Sequence, residues 1–265
     1  MVMEYQEAPS WQTVIMETIR MENMGWLDIK AAIDNGFTTV VVGVGSAEQH
    51  GHHLPIKTDA LIGNALAHAF AVRWGNVLQA PTICVGCSEH HMGFPGTITL
   101  KKETLKAILI DYIESLSRHG FKTIILLPSH GGNFSIVDEV VAQYKDKNAG
   151  IKVVGVVNLI KLFDFVSNLG KNFDVTPEKG GVHSGDFETS IMLFLAKELV
   201  RSDRYKAGYI GKFGELEHKT MLANGIKGLS DIGVLGDPCD STAEKGKVYF
   251  EGWVDFCIAE IKNLI

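Results

Sequence analysis

No stretch of this chain holds the roughly 18 consecutive apolar residues that a membrane-spanning helix needs. No basic-then-apolar leader opens it either, because MVMEYQEAPSW carries acids instead. Both absences lead us to expect a cytoplasmic protein. Positive charge is also scarce. Twenty-five Lys and Arg face 31 Asp and Glu, a formal net charge of −6, which argues against a nucleic-acid or anionic-membrane partner. Four cysteines in 265 residues are too few for a disulfide framework. Cys84 and Cys87 form a C-x-x-C, but Cys239 and Cys257 do not make a second pair for a zinc ribbon. The pair ends an apolar run instead of opening a helix, so a structural role is expected. A phosphate loop is lacking too. Gly43-Val44-Gly45 wants a third glycine, and Glu48 would repel a pyrophosphate. No repeat, low-complexity segment or linker stands out, and we expect a single domain over 1–265.

What is present is an ordinary globular composition, 46% hydrophobic, in an alternating pattern. Residues 38–44, 77–85, 123–127 and 152–159 are apolar, β-branched runs that predict strands. Helical spacing predicts helices over 26–35, 59–74, 102–118, 134–145 and 187–199, with Gly36 and Gly120 as stops. A further helix is expected to start over 13–19. Another covers 241–264, broken or frayed early. Residues 225–238 read as a glycine-rich loop around a short strand, and 161–177 show no usable pattern. Strands alternating with helices predict an α/β fold with a mainly parallel sheet and helices on both faces.

The polar residues of interest sit where strands end. Directly after 38–44 comes Gly45-Ser46-Ala47-Glu48-Gln49-His50-Gly51-His52-His53-Leu54-Pro55-Ile56-Lys57-Thr58-Asp59. In an extended segment Glu48 and His50, at i and i+2, face the same side. Asp59 at a helix start can approach from the other side of the loop. Carboxylate oxygen with imidazole nitrogen is a ligand set for zinc, manganese or iron, and one aspartate can bridge two ions. His52 is expected in solvent. His53 either orients a ligand by hydrogen bonding or is a structural histidine. His130 follows the strand at 123–127, so it falls on the same crevice and is a further ligand candidate. Asn133 is expected to fix that loop and cap the next helix. In the loop at 88–100, Ser88 is a candidate substrate contact, and His90 and His91 are either site groups or loop surface. His183 lies in a flexible, glycine-rich segment before a helix and either transfers a proton or makes a structural hydrogen bond. Glu188, in that helix's first turn, is either a metal ligand or a favourable charge on the helix dipole.

At these residues the chain resembles the creatininase (creatinine amidohydrolase) family. The resemblance rests on Glu48-x-His50-Gly51-x-His53-Leu54-Pro55 with Thr58-Asp59, on Phe94-Pro95-Gly96-Thr97, and on His130-Gly131-Gly132-Asn133. It continues with His183-Ser184-Gly185-x-Phe187-Glu188-Thr189-Ser190 and Gly236-Asp237-Pro238. It implies a three-layer α/β/α sandwich, two divalent metal ions (Zn, Mn or Fe) per chain and a homohexamer. It implies that Glu48, Asp59 and His130 hold one metal, and that His50 and the shared Asp59 hold the other. His183 matches the family's catalytic histidine, and Ser88 a substrate contact. Creatininases proper carry a tyrosine and a metal-binding glutamate after the ligand histidine, where this chain has Gly131 and Gly132, so we expect Glu188 to complete the second metal. The aromatic and acidic groups that hold creatinine are replaced by Lys179 to Val182. The expectation is a metal-dependent hydrolase of a C–N bond in a small, cyclic amide or formamide, acting through an activated water. Its rivals are a lactone or cyclic-diketone hydrolase on the same site, and a metal-stabilised oligomer without catalysis.

Overall fold

A computed structural model describes residues 18–145 and 150–265. The expected helix over 13–19 falls almost wholly outside them. Four strands, β1 (Thr39–Val44), β2 (Val77–Gln79), β3 (Thr123–Pro128) and β4 (Lys152–Gly155), form one sheet in the order β2-β1-β3-β4. Every pairing is parallel, with Thr39 opposite both Val77 and Thr123, and Thr123 opposite Lys152. Alternation along the strands splits the core. Val40, Val42, Val44, Ile124 and Leu126 pack under α1 (Trp26–Asp34), α3 (Lys102–Arg118) and α4 (Phe134–Lys145). Val41, Ile125, Leu127 and Val154 face α2 (Thr58–Trp74), α5 (Leu159–Gly170), α7 (Asp186–Ala196) and α9 (Ala243–Lys262). Two short or peripheral helices, α6 (Pro177–Gly180) and α8 (Glu215–Asn224), complete the chain. The expected α/β/α layering is thus observed.

The strand order has a consequence. From β1 the chain moves to β2 on one side, then returns to β3 on the other. The gap between β1 and β3 at their carboxyl ends is therefore a topological switch point, where open α/β sheets bind ligands.

Several expectations need correction. The strand expected over 77–85 stops at Gln79, because Pro81 has no N–H for the ladder. The segment stays extended and still bonds to β1 through Ala80 N to Val41 O (2.9 Å) and Ile83 N to Gly43 O (3.0 Å). The strand expected over 152–159 ends at Gly155, and Asn158 caps α5 by accepting from Lys161 N at 2.9 Å. Residues 225–238 hold no strand beyond an isolated bridge of Leu235 to His183. The last helix, α9, is unbroken. Gly246, in its first turns, is a packing residue: a Cβ there would lie 1.8 Å from Ser190 O on α7. The sequence reading missed α5, α6 and α8. No helix among the described residues is long and apolar enough to cross a membrane.

Candidate metal centre

Four parts of the chain converge on the switch point. The segment after β1 supplies Glu48 and His50, and α2 supplies Asp59 in its first turn. The end of β3 supplies His130, and the start of α7 supplies Glu188. Glu48, His50 and Asp59 are essentially buried. His130 Nδ1 lies 3.2 Å from Glu48 Oε2 and 3.3 Å from Asp59 Oδ2. His50 Nε2 lies 3.3 Å from Asp59 Oδ1 and 3.8 Å from Glu188 Oε2. Asp59 therefore turns one oxygen to each histidine. His183 Nδ1 is 3.7 Å from Glu48 Oε1.

The backbone fixes which imidazole nitrogen faces the centre. His50 Nδ1 is 3.1 Å from Glu48 O, and His130 Nε2 is 3.1 Å from Cys87 O. A carbonyl only accepts, so those nitrogens carry the protons. The opposite nitrogens, with lone pairs in the neutral rings, then point at the carboxylates. Metal-ligating histidines are held in this way. Glu48 Oε1 and Oε2, Asp59 Oδ2 and His50 Nε2 are buried without a well-aligned hydrogen bond. Their contacts are approaches of charged groups, and buried polar atoms left open in this way call for a missing partner. The donor set, carboxylate oxygen and imidazole nitrogen, suits a divalent cation.

The electrostatics agree. Burial alone would lower the pKa of His50, yet Asp59, with Glu188 and Glu48, pushes it up to about 10. Burial is likewise outweighed at His130, where Glu48 and Asp59 hold the pKa well above the ordinary value. Asp59 is held well below the carboxylate range, because His50 and His130 overcome the burial that would raise it. Glu188 rises to about 7 through burial, opposed by His50. The cluster demands positive charge, which protons supply here and a cation would supply instead.

The other candidates fall as follows. Glu188 accepts from Ser184 N at 2.6 Å and keeps 16% of its side chain exposed, at the edge of the cluster. Gly132 admits no side chain without backbone movement, since a Cβ would lie 2.2 Å from Cys87 O. Ser88 is buried. Its hydroxyl pairs with Ser46 Oγ at 2.5 Å and sits 3.4 Å from His130 Nε2. His53 reaches Thr189 Oγ1 at 2.9 Å, next to Glu188. Asn133 does not cap α4. It is buried and bonds Gly45 O (2.9 Å) and Cys87 N (3.0 Å), tying the end of β1 to the following loop. His52 is exposed. His90 stacks on His130, with centroids 5.7 Å apart. His91 is buried with Nε2 3.2 Å from Glu48 Oε1. The sequence reading left His91 open and passed over Gln49, although the latter stands between two candidate ligands. All four cysteines are unpaired, and burial pushes the Cys84 and Cys87 thiols up.

A parallel α/β/α sheet with a buried carboxylate–imidazole cluster at its switch point defines a metal-binding hydrolase class. The family profile described as creatinine amidohydrolase matches residues 22–261, and the chain belongs to the creatininase family. It is 32% identical over 233 residues to a mycofactocin precursor peptide peptidase of Mycobacterium ulcerans (strain Agy99), covering 84% of each chain. It is 32% identical over 200 residues to the creatinine amidohydrolase of Pseudomonas putida, covering 71% of this chain and 76% of that one. A solved structure described as "Creatininase Mn" superposes with a TM-score of 0.76 at 26% identity, over 90% of this chain and 95% of that chain.

Proposed function

We propose that this protein is a metal-dependent hydrolase of amide C–N bonds whose substrate is a peptide carrying an apolar side chain beside the cleaved bond. The observation that carries the hydrolase reading is the buried cluster of Glu48, His50, Asp59, His130 and Glu188, with carboxylate oxygens left open at its centre. The substrate class draws on the neighbouring pocket. Leu159, Leu162, Phe163, Val166, Phe187 and Trp253 line it together with His183 and Glu188. Such a wall suits an apolar group better than creatinine, and the peptidase relative supports a peptide over the small cyclic amide expected from sequence.

In this proposal Glu48, Asp59 and His130 hold one divalent cation, and His50, Asp59 and Glu188 hold the other. When bound, the pair supplies Lewis acidity and brings a water's pKa from about 15.7 toward about 7. The protein's own residues do the rest. The pocket wall excludes bulk water and aligns the amide. His183, whose burial keeps its pKa well below the ordinary value, stands as a neutral base that takes a proton and returns it to the leaving nitrogen. Zinc, manganese and iron all accept these ligands. The proposal also carries over a cytoplasmic homohexamer from the family, which sedimentation would reveal as a hexameric mass.

A screen of peptides with apolar or charged residues at each position tests the reading. Formamides, lactones and creatinine are run beside them, on metal-loaded and metal-stripped protein. Metal-dependent cleavage of apolar peptides is expected. Equal rates from the stripped protein, or no cleavage of any amide by protein holding two metals, would overturn it.

A further inference from the structure

Gln49 lies between Glu48 and His50 in sequence, and its side-chain amide is held at both ends. Gly51 N donates to its Oε1 at 2.9 Å, and its Nε2 donates to Gly233 O at 3.0 Å. Reversing the amide would set NH2 against N–H and oxygen against a carbonyl, so its orientation is fixed. The same Nε2 lies 3.0 Å from His91 Nδ1. An amide nitrogen only donates, so His91 Nδ1 accepts. A neutral His91 then carries its proton on Nε2, which lies 3.2 Å from Glu48 Oε1.

Both amide hydrogens are now used, one on Gly233 and one on His91. His183 Nε2 is 3.1 Å from the same nitrogen but finds no hydrogen to accept. It lies 2.8 Å from Gln49 O, a carbonyl, and donates there. Its Nδ1 is left with a lone pair on the side of Glu48. The two rings are neighbours, with centroids 4.5 Å apart, yet they offer the centre opposite things. His91 offers an N–H and His183 offers a lone pair.

We propose that Gln49 is the positioning residue of the site: its backbone carbonyl sets His183 as a proton acceptor at Nδ1, and its side-chain amide keeps His91 as a donor beside Glu48. His91, Glu48 and His183 have atoms spaced closely enough to hold a cation. The proton on His91 Nε2 removes that grouping from the metal sites and makes His91 a support for the Glu48 carboxylate. The role of His183 rests on the hydrolase reading above, but the tautomers do not.

The experiment is imidazole nitrogen NMR on metal-free protein labelled with 15N-histidine, assigned with His91→Asn and His183→Asn. Both rings are expected as the Nε2–H tautomer. In Gln49→Met, which deletes the amide hydrogens, the His91 signals should shift toward a mixture of tautomers. Zinc alone, titrated into Gln49→Met, should still bind with unchanged stoichiometry. On loaded enzyme kcat should fall about 10- to 100-fold, as for other outer groups of metal sites. A wild-type His91 protonated on Nδ1 would overturn the proposal. So would His91 signals left unmoved by Gln49→Met, whereas His183, bonded to the main-chain carbonyl, should keep its tautomer. A failed substrate screen would sink the hydrolase reading and leave the NMR result standing.

Discussion

At the scale of single residues, the stretch from Glu48 to Asp59 was legible because its ligand-type side chains are local and sit between a clear strand and a clear helix. His130 was legible for the same reason, at the end of β3. Gln49 and His91 were not. A glutamine carries no metal-ligand signature, and the role of His91 depends on a hydrogen bond closed by the fold. Asp59 is the sharpest point of test, since it turns an oxygen to each histidine. Asp59→Ala should abolish metal occupancy by elemental analysis and lower turnover by about a thousandfold or more, near 4 kcal/mol of barrier. Glu188 separates two readings of one carboxylate. As a ligand, Glu188→Gln should lose one metal per chain and about a hundredfold in rate, near 2.7 kcal/mol. As a charge at the start of α7, it would cost only about 0.3–1 kcal/mol of stability with metal content intact. His53 gives a pH test. Burial, then the charges of His50 and His52, lower its pKa from 6.5 to about 4. The unfolded chain therefore binds the extra proton first as pH falls. Stability tied to a neutral His53 is complete above pH 6.5 and is lost down to about pH 4, by up to about 3 kcal/mol. Urea denaturation of wild type and His53→Gln at pH 7 and pH 5 should show a smaller loss in the variant.

At the scale of elements, α3 and α4 match the expected bounds because their apolar stripes have helical spacing and are bounded by plain stop and start signals. The sequence reading faltered at α5. Val156, Val157 and Leu159 extend the apolar run of β4, so the pattern reads through Asn158 as strand. Asn158 is the N-cap, and Leu159, Leu162, Phe163 and Val166 then follow at i, i+3, i+4 and i+7. The missed helix is also the pocket wall beside His183 and Glu188. The pocket wall was thus lost together with the helix that builds it. Phe163 is only partly buried on that wall. Phe163→Ala should leave the urea midpoint near wild type and raise KM for apolar peptides about tenfold, near 1.4 kcal/mol of lost binding. An unchanged KM with a collapsed midpoint would make Phe163 a core residue instead.

At the scale of the whole molecule, alternation of strands and helices made the layering legible, while strand order was not written in any local pattern. The order β2-β1-β3-β4 brings the segment after β1 beside the end of β3, and it sets residues 48 and 130 around one centre. The late loop adds the last constraint, because Leu235 pairs with His183 and holds it against Gln49. These segments are far apart in the chain and are drawn together around carboxylates and imidazoles that a cation can bind only in the folded state. Metal should therefore act as a folding ligand. Added zinc or manganese at about 100 times Kd should stabilise the native state by about 2.7 kcal/mol per site, a rise in Tm of roughly 5–10 °C. A chelator should reverse it, and Asp59→Ala should show no rise. Metal-free Asp59→Ala should itself be less stable than metal-free wild type at pH 7, because it removes the carboxylate that pairs with both His50 and His130. A metal-induced rise in Asp59→Ala equal to that of wild type would mean that the stabilising ion binds elsewhere.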